Sequence, residues 1–309
     1  MSQQITQPSA SRSGGRAAAR MLATGEFAMS AADFKTISGI MMAEAGISLP
    51  EAKANLVYSR LAKRLRMLGL ADFAQYCALV EGPAGGEERQ AMIAALTTNV
   101  TRFFREPHHF EHLKTQILPA LLQSRSKIRL WSSACSTGQE PYSIALTLLA
   151  LAPEAASLDI RILATDIDPV VLATAQTGEY DAAALDAVPA ALRGRWFSAV
   201  KGEAGRFRIA DAARGLIAFR KLNLIGHWPM HGSFQAIFCR NVVIYFEADT
   251  QEQIWTRMLP LLAPGGALYL GHSERVTGPA ETALQSDGIT IYRPNASGMA
   301  AGKTGGVRS

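Results

Sequence analysis

The chain has 309 residues, enough for two domains, a hydrophobic share of 48% and a formal net charge of +5. No stretch approaches the roughly 18 consecutive apolar residues of a membrane helix, no apolar core follows the N-terminal basic residues as a secretory signal requires, and Cys77, Cys135 and Cys239 have neither disulfide nor zinc-ribbon spacing. The charge lies at the ends: Arg12, Arg16 and Arg20, with Lys303 and Arg308, supply the whole excess, so the neutral body does not support a globally basic nucleic-acid binder, and a reducing cytosol is expected.

Residues 1–28 and 295–309 are rich in Ser, Gly, Ala and Gln and are expected to be disordered tails. Residues 29–97 read as a small helical unit. Phe34, Ile37, Ile40, Met41 and Ala45 recur at helical spacing up to Gly46, and Pro50 starts a second helix that carries Leu56, Val57, Leu61, Leu65 and Leu68. Ala71–Glu81 and Glu87–Leu96 complete the unit on either side of a loop at Gly82–Gly86. Residues 98–125 form a linker and a helix. From residue 126 to 294 strands and helices alternate: strands at Ile128–Ser133 and Ile160–Thr165, a helix from Pro141 to Leu151, a helix ending at Gln176, a strand at Phe234–Cys239, a helix from Thr250 to Leu262, a turn at Pro264–Gly266, and strands at Ala267–Leu270 and near Thr290. That rhythm implies α/β architecture with a parallel sheet covered on both faces.

In such sheets ligands bind beyond the carboxyl ends of the strands. The loop Ala134–Pro141 follows the first strand; Gly138 would let the backbone approach a ligand, and Pro141 suits a first helical position. The loop is not the dinucleotide-binding glycine fingerprint, which weakens a hydride-transfer reading. After the second strand, Asp166 is placed to accept from ribose hydroxyls, whereas Asp168 before Pro169 reads as a helix cap. Arg240 and Asn241 leave a later strand, where they can cap a helix or line a cleft. The segment Thr97–Pro107 holds two adjacent aromatics, Phe103 and Phe104, which suit an anchor at the interdomain seam, and leaves Asn99, Thr101 and Arg105 without a structural reason. Cys135 and Cys239 follow strands expected to be neighbours and read as reduced packing residues.

The segments Asn99–Arg105, Ala134–Ser143, Ala164–Asp168, Asn223–Leu224, Phe238–Phe246 and Gly265–Glu274 resemble, in order, those of the CheR family of chemoreceptor glutamate methyltransferases, over roughly residues 30 to 293. The resemblance implies an all-α domain in front of a Rossmann-like methyltransferase domain that takes S-adenosylmethionine and releases S-adenosylhomocysteine, with no metal. It implies that Asn99, Thr101 and Arg105 reach the cofactor, that Glu140 holds its amino group and Asp166 its ribose, and that Asn223, Leu224, Arg240 and Asn241 surround the adenosine. Arg105 and Tyr245 are implied beside the transferring methyl. Partners implied are methyl-accepting chemotaxis receptors, met at their cytoplasmic helical bundle by a monomer, without nucleic acid or membrane insertion.

Glutamate is ionised at neutral pH, so no general base is required, in keeping with motifs that hold no obvious His or Cys base. Arg60, Lys63, Arg64 and Arg66 crowd one helix without an acid between them. On spacing alone this is a solvated face; the resemblance makes it the receptor-recognising one. Some members carry an inserted three-stranded subdomain whose loop binds a receptor's C-terminal pentapeptide. The matching region here, about 196–219, is a few residues shorter, so tethering is expected to be weak or absent. Two rivals remain: a methyltransferase for a nucleic acid or small molecule, and a cofactor-sensing module without turnover.

Overall fold

Ser30 fixes the start of the first helix by a reciprocal cap, its hydroxyl accepting from Asp33 N at 3.2 Å while Asp33 Oδ2 accepts from Ser30 N at 2.8 Å. The structure, a computed structural model, describes residues 20–23, 25–124, 127–296 and 298; Arg12, Arg16, Lys303 and Arg308 of the expected tails lie outside these. Strands β1 (Met21–Ala23) and β2 (Met29–Ser30) pair antiparallel and lead into α1 (Ala31–Ala45). A 3-10 turn after Pro50 precedes α2 (Ala54–Leu68), and α3 (Phe73–Glu81) and α4 (Gly86–Leu96) complete the unit. Gly46 and Gly69 end α1 and α2 in the left-handed region, where a Cβ is strained. Ile37, Met41, Val57, Leu61, Phe73 and Val80 meet in one core. Ala23 and Phe27 are buried in that core too, so the described residues from 20 to 28 pack on the helical unit.

Helix α5 (Pro107–His112), a π-helical turn at Leu113–Ile117 and α6 (Leu118–Gln123) lead to the second unit. It runs β3 (Ile128–Ser132), α7 (Gln139–Leu151), β4 (Ile160–Asp166), α8 (Pro169–Thr177), β5 (Glu179–Asp181), α9 (Ala190–Trp196), β6 (Phe197–Ala199) and β7 (Arg206–Ile209). Then come α10 (Asp211–Arg214), β8 (Ile217–Lys221), β9 (Phe234–Cys239), α11 (Ala248–Met258), β10 (Leu262–Leu270), β11 (Leu284–Gly288) and β12 (Ile291–Pro294). Seven strands form one sheet in the order β11-β12-β10-β9-β3-β4-β8. The five from β10 to β8 are parallel, and β11 and β12 add an antiparallel edge. Leu130 and Ile162 point into a core with Ile144 and Leu148 of α7, while Trp131 and Ile237 point into a core with Ile254 and Trp255 of α11. Both faces are covered, as a parallel sheet requires.

The chain builds outward from β3 through β4 to β8, then crosses to β9 and β10 on the other side. The reversal opens a crevice at the carboxyl ends of β3 and β9. This is the expected all-α unit in front of a Rossmann-like unit. Several boundaries differ. The insertion is a three-stranded sheet, β5-β7-β6, that begins at Glu179, and Ile217–Lys221 belongs to the main sheet instead. The turn at Pro264–Gly266 is an irregularity within β10, where the register with β9 shifts. α11 ends at Met258 and gives way to a 3-10 turn. Among the described residues no helix is long and apolar enough to cross a membrane.

Candidate active site

An open cleft of about 1200 Å³ lies at that crevice, between the carboxyl ends of the strands and the helical unit. Ser133, Ala134, Ser136 and Glu140 enter it after β3, Asp166 at the end of β4, Asn223 and Leu224 after β8, and Arg240, Asn241 and Tyr245 after β9. Asn99, Thr101, Arg102 and Arg105 cross it on the interdomain segment. Of the residues expected to bind cofactor or to act beside the methyl, only Gly138 is missing from the lining. Gly138 caps α7 at φ +96°, and a Cβ there would lie 2.9 Å from Ala175 Cβ and from Tyr180 Oη. The glycine thus allows close packing against α8 and β5. Pro141 is the third residue of α7, still within the first turn, where its missing N–H costs no helical bond.

The inner end is a network of buried charge. Glu140 Oε1 accepts from Ser132 Oγ at 2.7 Å and Oε2 from Arg240 Nη1 at 2.9 Å. Arg240 Nη2 donates to the Arg105 carbonyl and lies 3.4 Å from Glu106 Oε2. Arg240 thus braces Glu140 and the interdomain segment, a role the sequence did not indicate. Burial pushes the Glu140 carboxyl above its ordinary range, opposed by Arg240 and Ser132. Asp166 Oδ2 accepts from Ser136 N at 2.8 Å and Oδ1 from Asp168 N at 3.0 Å, and its pKa too is raised by burial against those backbone bonds. Two of a carboxylate's roughly four lone-pair positions are thereby used, which leaves acceptor capacity toward the cleft. Asp168 caps α8, accepting from Val170 N at 2.8 Å, and its other oxygen accepts from Asn99 Nδ2 at 3.1 Å. Asn99 is thus tied to the strand ends, as is its carbonyl, which accepts from Ser136 Oγ.

Phe103 is fully buried in the α/β core and meets Tyr180 and Phe197 edge-on, with centroids 4.9 and 5.7 Å apart. It anchors the segment to the α/β unit and its insertion, and not to the seam with the helices. The seam combines polar backbone contacts with apolar packing of Ile47 and Ile167. Asn223 Nδ2 donates to the Glu44 carbonyl at 2.7 Å, Ser48 N donates to the Tyr245 carbonyl at 3.2 Å, and Ile47 bridges Phe246. Helical-unit residues Ile47, Lys53 and Leu56 also line the cleft, with Lys53 Nζ 6.0 Å from the centre of the Tyr245 ring. This second wall comes from the segment after α1, the 3-10 turn and the first turn of α2, so helical periodicity marks Leu56 but not Ile47 or Lys53. Asn241, at φ +57°, lies in a loop whose N–H groups bind Glu274, another residue whose structural part was not foreseen.

The four basic residues of α2 fare differently from one another, and none lines the cleft. Arg60 Nη1 donates to the carbonyls of Leu96 and Thr97, closing the end of α4. Arg64 makes a two-pronged ion pair with Glu88, which is itself buried and accepts from Tyr76 Oη at 2.8 Å. Those two are half-buried and bonded to neighbouring groups of the chain. Arg66 pairs with Glu26 at the surface, and Lys63 is exposed and, among the described residues, unpaired.

Behind Arg240, Glu106, His108 and His109 offer ligand atoms within 4.8 Å of one another. The Arg240 guanidinium already neutralises Glu106 there, so the cluster reads as a charge network. Burial, with Arg240 nearby, pushes His109 down to about 3, which keeps it neutral. Cys135 and Cys239 are free, buried and pushed well above the ordinary thiol range by burial, as packing residues would be.

The family models described as CheR methyltransferase, all-alpha domain, and CheR methyltransferase, SAM binding domain, match residues 32–97 and 99–292. A probable chemotaxis protein methyltransferase of Rhizobium etli is 53% identical over 264 residues, covering 84% of this chain and 98% of its own length. Chemotaxis protein methyltransferase 2 of Pseudomonas aeruginosa is 43% identical over 87% of this chain and 95% of its own, and the Escherichia coli chemotaxis protein methyltransferase 41% over 87% and 93%. The chain belongs to the CheR methyltransferase family. It is an S-adenosylmethionine-dependent methyltransferase.

Proposed function

We propose that the protein esterifies glutamate side chains of chemotaxis receptors at this cleft. The supporting observation is the convergence of four strand ends and the interdomain segment on one cleft, anionic within (Glu140, Asp166) and cationic at the mouth (Lys53, Arg102, Arg105). S-adenosylmethionine carries an electrophilic methyl on a sulfonium, with an ammonium at one end and a ribose at the other. The ammonium suits Glu140, which lines the cleft and whose two oxygens each accept only one bond from the protein, and the ribose suits Asp166. A glutamate carboxylate oxygen takes the methyl as the carbon–sulfur bond breaks, and S-adenosylhomocysteine is released. The attacking carboxylate needs no base, so rate comes from alignment and from exclusion of water. Arg105 orients the carboxylate; a tight bidentate pair would blunt its nucleophilicity, and a looser contact serves better. Tyr245 holds the carboxylate from the other side of the methyl path.

For the receptor we assign Lys63 and Arg66 of α2, beside the exposed Leu56 and Met67, as an apolar and basic stripe suited to an acidic helical bundle. Arg60 and Arg64 support that stripe from within. The enzyme is read as a cytoplasmic monomer without metal or nucleic acid, and the neutral body favours a protein substrate over a polyanion. Recognition without the pentapeptide is read from the short loop 200–205 between β6 and β7. Incubation with methyl-labelled S-adenosylmethionine and receptor-bearing membranes tests the whole reading. Base-labile label on the receptor supports it; cofactor binding without label favours a sensing module. Titration with a receptor C-terminal pentapeptide tests the last point, and micromolar affinity overturns it.

A further inference from the structure

We propose that Glu274 is a positioning residue for methyl transfer, its carboxylate fixing the loop that presents Arg240, Asn241 and Tyr245 to the cleft. This rests on the reading of Tyr245 given above. Glu274 is 3% exposed and accepts four backbone N–H groups from two separate strand ends. Oε2 accepts from Gly271 at 2.6 Å and Asn241 at 2.8 Å, and Oε1 from Val242 at 2.8 Å and Val243 at 2.9 Å. Charge-assisted bonds of this kind are about twice as strong as neutral ones, and here they converge on a single group.

The placement explains two local features. Asn241 holds a left-handed conformation, which asparagine tolerates better than other side chains and which turns its N–H and the next two toward Glu274. Gly271 has no room for a side chain, since a Cβ there would lie 2.5 Å from Asn241 Nδ2 and 2.7 Å from Glu274 Oε2. The strands themselves do not need the clamp, because β9 and β10 already pair through Cys239 and Leu270. What remains for Glu274 to set is the course of the chain beyond them. That course continues into the 3-10 turn Val243–Tyr245, which delivers the Tyr245 ring to the cleft and its carbonyl to Ser48 N. Glu274 lines no part of the cleft, so any effect on catalysis passes through this loop.

Glu274→Gln keeps the shape but turns an amide donor toward two N–H groups. The expected result is a kcat at least about 10-fold lower, with a smaller loss, under about 3-fold, in affinity for S-adenosylhomocysteine: Asn241 shares the loosened loop, whereas Arg240 is held separately by Glu140, and Asp166, Asn223 and Leu224 stand on other strand ends. In a Tyr245→Phe background the same substitution should cost less than about 3-fold, because both changes act through one ring. Hydrogen exchange should quicken at the amides of 241–243 and stay unchanged in β9 and α2. Equal fold losses in both backgrounds, or unchanged exchange at 241–243, would overturn the proposal. Should the glutamine variant not fold, Gly271→Ala wedges the same contact and carries the same expectations. If the wild type labels no receptor, the substrate reading fails, while the exchange at 241–243 still decides whether Glu274 holds the loop.

Discussion

At the inner end of the cleft, Glu140 and Arg240 are buried and bonded to each other, and Asp166 is tied down by two backbone N–H groups. At the mouth, Lys53 and Arg102 are exposed, and the Arg105 side chain makes one bond among the described residues, to the Val100 carbonyl at 3.1 Å. The two regions hold charge for different ends. Burying ions is expensive unless they are paired, so the inner end is rigid and serves a ligand of fixed shape. Exposed cations cost little, stay mobile, and attract an anionic side chain from a large partner without demanding one geometry.

The largest effect expected from breaking that contrast lies inside. Glu140→Gln removes the charge that Arg240 faces, and loss of one member of a buried pair costs about 3 kcal/mol. Cofactor binding should fall with it, since the amide cannot neutralise an ammonium. Lys53→Ala should leave thermal stability near wild type and cofactor affinity within about 3-fold, acting on receptor KM instead. Calorimetric titration of S-adenosylhomocysteine into both variants checks this, and comparable cofactor losses would erase the distinction.

A similar contrast divides one helix. Arg64→Glu sets a carboxylate against Glu88 in a half-buried position and should destabilise the helical unit by about 3 kcal/mol, read as a clear drop in Tm. A joint reversal of Lys63 and Arg64 would therefore report unfolding and not recognition.

Acid sharpens the inner region further. His109, fully buried, titrates at about 3 in the folded protein and near 6.5 when unfolded. Below about pH 6.5 the unfolded chain takes up a proton that the folded one refuses, so stability is lost as pH falls, by about 2 kcal/mol at pH 5 from this residue. Tm should drop more steeply between pH 7 and 5 in the wild type than in His109→Gln. Equal slopes would mean that His109 accepts its proton in place, beside Glu106.

Of the inner residues only Asp166 is marked by its place at a strand end; Glu140 and Arg240 are singled out by the resemblance, because position alone leaves the Arg240–Asn241 pair open between a helix cap and a cleft. For Gly138 the sequence does not show the close packing on Ala175 and Tyr180, a tertiary contact 37 and 42 residues away. The basic run on α2 looked free for the same reason: its acceptors, Glu88 and the carbonyls of Leu96 and Thr97, lie 24 to 37 residues further along. Strands β1 and β2, of 3 and 2 residues, are too short to show any period, so residues 20–28 read as tail. Glu274 stood in a recognised segment, but a carboxylate that serves backbone N–H groups leaves no mark in side-chain pattern.

The smallest expected effect falls at the mouth's outer neighbour. Lys63 is exposed and unpaired among the described residues, so Lys63→Glu should change stability by less than about 0.5 kcal/mol. S-adenosylhomocysteine affinity should be unaffected, because Lys63 does not line the cleft. Reversal of one exposed charge opposite an acidic bundle should lower receptor methylation by about 3- to 10-fold at low salt, mainly through association. At 0.5 M salt, where screening acts within about 5 Å, most of that loss should vanish. A defect that persists at high salt would mean that Lys63 makes a fixed contact, and the mouth would then share the rigid logic of the inner end.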